Sequence, residues 1–265
     1  MSAATPDAPT LEVPVDSIES VECAVHYADR IELCDDLATE GWTPTPALVR
    51  GARARSDAQP QGRRPCIVAM IRPRLPDSTL ALDAAAFVAT DRVVAESERE
   101  IAACIDAGAH EIAIGLLDAQ GHIDLPACAR LRDASLSRGA SVAFLRVFDL
   151  LADRVRGWSD IAALGIGRVL TAGVHGWDAG VASIAERTRV IAADIEVAEL
   201  ACAVRATASP RSIDRIAIAA GGGVRAANAS SFLRVTPHLH ASCRVAGRIC
   251  ANELSALRQS IRSLG

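Results

Sequence analysis

The stretch Cys66-Ile67-Val68-Ala69-Met70-Ile71-Arg72-Pro73-Arg74 is an apolar run that stops at two guanidinium groups held apart by a proline. An apolar run of this length, rich in β-branched residues, predicts a buried strand. Comparable runs precede and follow it. They are LEVPV (11–15), RIELC (30–34), EIAIGL (111–116), ASVAFL (140–145), RVLT (168–171), IDRIAIA (213–219) and HLHA (238–241). With CIVAMI (66–71) they make eight. The segments between them carry helical periodicity, as in DRVVAESEREIAACIDAG (91–108), where Gly108 stands where a C-terminal cap belongs.

Strand and helix alternating at roughly thirty-residue intervals is the βαβ repeat. Strands this apolar suit a parallel sheet covered by helices. Eight such units predict a single (β/α)8 barrel, an α/β fold, with an open doubly wound sheet as the alternative. The expected organisation is a flexible tail over residues 1–10 and one domain over 11–265. The stretch LPDSTLALDAAAFVAT (75–90) is an unusually long connection after the third strand.

Half of the 265 residues are hydrophobic, enough for a large core, and the formal charge of −4 offers no electrostatic footprint for nucleic acid, which needs clustered positive potential. Every basic residue apart from histidine is arginine, so a Schiff-base lysine is excluded. The eight cysteines form no C-x-x-C pair and read as reduced thiols. No signal peptide and no bilayer-spanning apolar run is legible. The expectation is a soluble, cytoplasmic protein without nucleic-acid or membrane partners; homo-oligomerisation stays open.

In a (β/α)8 barrel the functional face is built at the C-terminal ends of the strands. The polar groups there are Glu12, Glu32 with Cys34, Arg72 with Arg74, Asp118, Arg146 with Asp149, Thr171, Gly221-Gly222-Gly223 and His240. Arginines so placed either bind carboxylate or phosphate bidentately or neutralise neighbouring carboxylates. Glycines 221–223, between an apolar strand and a helix, offer backbone N–H groups to an anion, or simply permit a tight turn. Glu12, Glu32, Asp149 and His240 are the candidates for proton transfer. For His240 a hydrogen-bonded histidine at the barrel mouth is the plainer reading; acid–base work or metal ligation requires a partner such as Glu32 or Cys34. Trp42, Trp158 and Trp177 read as packing residues.

Several of these pieces together resemble the CutC family. They are ADRIELC (28–34), GWTPTPALV (41–49), MIRPR (70–74), GLLDAQGHID (115–124), RVFD (146–149), RVLTAG (168–173), AGGGVRAAN (220–228) and LHAS (239–242). The resemblance implies a cytoplasmic TIM barrel and, through members associated with monovalent copper, a role in copper homeostasis with Cys34 as a ligand, joined by His240 or Cys23. The chain also departs from the family pattern. Leu145 stands where the family's fifth strand usually has histidine, Pro14 where its first strand often has cysteine, and the 75–90 connection replaces a shorter segment. Monovalent copper favours soft ligands, so these losses weaken the copper expectation in particular. Arg72, Arg74, Arg146, Asp149 and the glycines, all suited to anions, remain. The alternative expectation is an enzyme acting on a small anionic molecule, phosphorylated or not, through an arginine and carboxylate pocket.

Overall fold

The computed structural model of the protein describes residues 8–208 and 213–263. Most of the expected tail, residues 1–7, lies outside the described residues, and the first strand begins at Thr10. The eight expected strands are all present: β1 Thr10–Val15, β2 Arg30–Leu33, β3 Cys66–Met70, β4 Glu111–Ile114, β5 Ser141–Phe144, β6 Arg168–Thr171, β7 Ala217–Ala220 and β8 His238–His240. They are parallel and hydrogen-bonded in chain order, and β8 closes on β1 through the pairs Thr10↔His238 and Glu12↔His240. The barrel is closed, so the open-sheet alternative falls. β7 starts later than the run from Ile213 suggests, because its ladder to β6 begins at the pair Arg168↔Ala217.

Helices cover the outside: α1 Ile18–Ala24, α2 Pro46–Asp57, α3 Asp91–Asp106, α4 Leu125–Leu136, α5 Arg154–Leu164, α6 Ile184–Ala208, α7 Ala226–Leu233 and α8 Ala251–Arg262. Their starts are written into the sequence. Thr45, Thr90, Asp124 and Asp153 each accept a backbone N–H of the first turn, and α2 opens on a proline. A two-stranded hairpin, β9 Arg244–Val245 and β10 Arg248–Ile249, joins β8 to α8. No described helix is long and apolar enough to cross a membrane.

Alternation along the strands divides the molecule into two interiors. Leu11, Val13, Ile31, Leu33, Ile67 and Ile112 are fully buried in the hydrophobic core with the helices. The intervening positions face the barrel axis, as the two-residue period of a strand requires. Many of these are charged. At the N-terminal ends of the strands Arg30 pairs with both Glu12 and Glu111, Arg168 lies 3.5 Å from Glu12, and the Ser141 hydroxyl donates to Glu111 at 2.7 Å. Two guanidinium groups thus meet two carboxylates, and this balanced set plugs the lower barrel.

The long connection 75–90 folds back beside the barrel mouth. Asp83 caps a short turn over Ala84–Phe87, and the backbone of Phe87 and Ala89 bonds Leu117 beyond β4. Phe87 is buried by this arrangement.

Candidate functional site

Above the charged plug, a cavity of about 870 Å³ opens at the C-terminal ends of the strands. That is the size of a small-molecule site. Its floor is Glu32 from β2 and His240 from β8, side by side because both strands flank β1. His240 Nε2 lies 3.0 Å from Glu32 Oε2 and 3.8 Å from Glu12 Oε1. Burial works against a charged imidazole, but the hydrogen bond and charge of Glu32, with Glu12 behind it, outweigh this and raise the His240 pKa above its ordinary value. Burial would likewise raise Glu12, yet Arg168, Arg30 and His240 bring it down to about 2.

Arg72 and Arg146 form two of the walls. The Arg72 guanidinium donates to the carbonyls of Gly41 and Thr79 at 3.3 Å and lies 4.2 Å from the Trp42 ring and 5.2 Å from Phe87. Arg146 donates to Asp149 at 3.1 Å and to the Trp177 carbonyl at 2.7 Å, and lies 4.8 Å from the Trp177 ring. Phe87 and Trp177 stack at 5.8 Å, so an unbroken row runs Arg72, Phe87, Trp177, Arg146 across the mouth. The Trp177 indole N–H is buried and has no partner among the described residues.

A further arginine comes from α6. Arg187 is 3% exposed and donates only to the carbonyls of Ala172 and Gly221. Among the described residues neither Arg72 nor Arg187 has a carboxylate within ion-pair distance. Burial lowers the pKa of both; at Arg72 Glu40 offsets this and Arg74 adds to it, while at Arg187 Arg146 adds to it and the charge of Asp149 partly offsets it. Arg225 and Arg244 also border the cavity, Arg225 bonding Ser242 and Arg244 pairing with Asp16.

Of the residues expected from sequence, Glu32, His240, Arg72, Arg146, Gly222 and Gly223 line the cavity, and Glu12 lies just beneath. Gly222 must be glycine: its φ is +68°, and a Cβ would meet Ala172 and Ala179 at 2.7 and 2.9 Å, beside the Arg146 guanidinium. The other expected residues do not line it. Arg74 points to the surface and pairs with Asp36 at 3.0 Å, while Gly221 is shielded by its neighbours. Asp149 sits fully buried behind Arg146, with both oxygens committed to Arg146, Arg154, Thr171 and the Ala172 N–H. It anchors Arg146. The start of α7 is partly filled from within, since Glu253 accepts the Ala226 N–H at 2.7 Å.

Cys34 is also outside the cavity. Its thiol packs against Gly41, where the Met70 side chain meets it, and burial foremost, with Glu32 and Asp16, pushes its pKa far up. The close-set donor group of the described residues is instead Glu12, Glu32 and His240, whose ligand atoms lie within 4.8 Å of one another. Carboxylates and imidazole are hard and intermediate donors, so this group of three does not fit monovalent copper.

Sequence reasoning passed over Arg187, Arg225, Arg244 and the Phe87–Trp177 pair. Arg225 was in view, inside GGGVRAAN, and Arg244 follows the eighth strand closely. Arg187 gave no signal, because it reaches the site from a helix rather than from a strand end.

Comparison with known proteins agrees with this architecture. The model of the CutC family matches residues 9–245. A family protein CutC from Xanthomonas campestris pv. campestris is 33% identical over 237 residues, covering 88% of this chain and 83% of the relative. One from Pasteurella multocida is 33% identical over 227 residues, covering 85% and 78%. The solved CutC from Streptococcus agalactiae, described as a candidate copper homeostasis protein, superposes with a TM-score of 0.70 at 24% identity, covering 88% of this chain and 98% of that one. By the span of the family match and the identity to these relatives, the chain belongs to the CutC family.

Proposed function

We propose that the protein is a cytoplasmic enzyme acting on a small anionic molecule held in the barrel mouth. The observation that carries this reading is the pair of buried guanidinium groups, Arg72 and Arg187, that border the cavity and, among the described residues, have no carboxylate within ion-pair distance. A buried charge is costly unless paired, and the counter-ion these two lack is the natural role of a bound anion. Arg146 and Arg225 supplement them. On the floor, His240, whose pKa is raised by Glu32 and Glu12, lies beside the carboxylate of Glu32. The two together can deliver a proton to a bound substrate and take one back. Glu12 holds the imidazole's charge in place from below. The cytoplasmic assignment is supported by the eight free thiols.

The test is ligand identification on the protein as purified, by native mass spectrometry with metal analysis, followed by calorimetric titration with inorganic phosphate. An anion that co-purifies, or one that binds wild type and is weakened about tenfold or more in Arg187→Gln, supports the reading. Equal affinities would leave the arginines as structural groups.

Copper handling is the second reading, favoured by the meeting of Cys34 and Met70 at Gly41 and by the description of the Streptococcus relative. Here copper would be cargo held at the Cys34 thiol, beside Met70, which lines the cavity. Competition against a monovalent-copper chelator, with Cys34→Ser as the control, tests it. Tight binding that survives in the variant would exclude Cys34.

A further inference from the structure

Besides Arg225 and Arg244, the arginines that border the cavity form two cationic poles set apart from each other. The first is Arg72, at the end of β3. It is held by the carbonyls of Gly41 and Thr79 and braced between the rings of Trp42 and Phe87. The second lies across the barrel, past the ends of β5, β6 and β7. There the Arg146 guanidinium packs against Gly222, and Arg187 is near enough to Arg146 to feel its charge. Two stacked rings, Phe87 and Trp177, separate the poles along the mouth. The Glu32–His240 pair occupies the floor of the same cavity, and apolar side chains such as Met70, Leu145 and Leu170 flank it.

A single phosphate cannot neutralise both poles. Each guanidinium bonds an anion only at hydrogen-bonding range, about 2.7–2.9 Å, and the rings stand between them. From this geometry we infer that the ligand is an elongated molecule bearing an anionic group at each end, phosphate- or carboxylate-type. One end is bound at Arg72 and the other at Arg146, Arg187 and the Gly222-Gly223 loop, and the ligand's middle crosses the Glu32–His240 pair. The inference rests on the anionic-substrate reading and sharpens it: the bond or proton that reacts lies between the two charged ends, not next to one of them. The volume of about 870 Å³ accommodates such a molecule with space to spare.

The experiment uses a series of α,ω-alkanediphosphonates of increasing chain length and the matching alkyl monophosphonates, titrated calorimetrically into wild type, Arg72→Gln and Arg187→Gln. Glutamine retains an N–H donor for the carbonyls that Arg72 now satisfies, which protects the fold, and circular dichroism with thermal unfolding confirms that each variant is intact. The expected result is a maximum in diphosphonate affinity at one chain length, at least tenfold above the monophosphonate of that length. Arg72→Gln should abolish that advantage while leaving monophosphonate affinity within about twofold, and Arg187→Gln should weaken both series. Equal binding of mono- and diphosphonates at every length, or an advantage that survives in Arg72→Gln, overturns the two-pole inference and leaves the anion site standing. Failure of every phosphonate to bind overturns both.

Discussion

The lower and upper halves of the barrel interior are lined by the same kinds of side chain, and they are put to opposite uses. Below, Arg30 and Arg168 meet Glu12 and Glu111 in a set whose charges balance. Above, Arg72 and Arg187 meet carbonyls and aromatic rings, and a cavity takes the place of their carboxylates. Being buried, being charged and facing the axis are common to both halves. What separates them is whether the charge is already answered. A buried arginine that has its carboxylate is part of the frame; one that lacks it has been left for something else to neutralise. Glu12 belongs to the lower set and reaches the upper through His240, so it ties the site to its support.

The largest effect expected from this contrast is in the lower half. Glu12→Gln leaves Arg30 and Arg168 short of a buried carboxylate, and breaking such a pair costs about 3–5 kcal/mol. Denaturant unfolding should show that loss. Acid should expose the same group in the wild type. Because the folded pKa of Glu12 is depressed to about 2, the unfolded chain binds the proton first as pH falls. Its contribution is therefore complete above the ordinary carboxylate value of 4.5 and is lost progressively as pH drops toward 2. A variant that unfolds no earlier than wild type in this window would break the distinction between the halves.

In the upper half the same kind of substitution should behave differently. Arg187→Gln gives up hydrogen bonds to two carbonyls but removes a buried charge without a carboxylate. The two terms oppose each other, and the expected change in stability of the ligand-free protein is within about 1 kcal/mol. Anion affinity, by contrast, should fall by about tenfold or more. If stability collapsed and affinity did not move, Arg187 would join the frame.

How far these halves can be told apart from sequence depends on what defines them. The barrel was legible because eight apolar runs at even spacing leave few other arrangements, and the strand-end rule then brought Glu32, His240, Arg72 and Arg146 to one mouth. Partner choice was not legible. Arg72 and Arg74 are two residues apart and look alike in the chain, yet one turns inward under Phe87 and the other outward to Asp36. Asp149 looked as available as Glu32, but both of its oxygens are taken by neighbours that come from β6, α5 and the loop after β5. Arg187 depends on the packing of α6 against β6 and β7, which no local pattern encodes.

A smaller effect is expected from pH near neutrality. His240 faces Glu32 and Glu12, with Arg168 opposing, and its pKa is raised. Its protonated form therefore favours both folding and anion binding; these contributions are complete below the ordinary histidine value of 6.5 and decline as pH rises through the raised one. Affinity for phosphate should fall by less than tenfold across that range, since Glu32 already shares the imidazole's charge. In Glu32→Gln the midpoint should move to lower pH. A midpoint that stays in place would mean that another group titrates.

The smallest effect should come from Arg74, and it is the sharpest control because Pro73 alone separates it from Arg72. Arg74 is half exposed, pairs with Asp36 at 3.0 Å and lies 4.9 Å from the outer side of Trp42. Exposed ion pairs contribute about 0–1 kcal/mol, so Arg74→Ala should change stability by less than about 1 kcal/mol. Arg74 is close enough to Arg72 to lower its pKa, which means some of its field reaches the first pole. Water and salt screen that field within a Debye length of about 8 Å at physiological ionic strength. At low salt Arg74→Ala should therefore weaken binding of an alkanediphosphonate slightly, and at 0.15 M or above the difference should vanish. The loss in Arg72→Gln, which removes a direct hydrogen-bonded contact inside the cavity, should persist at both salt concentrations. Equal, salt-resistant losses in the two variants would place both guanidinium groups on the ligand and redraw the first pole as a pair.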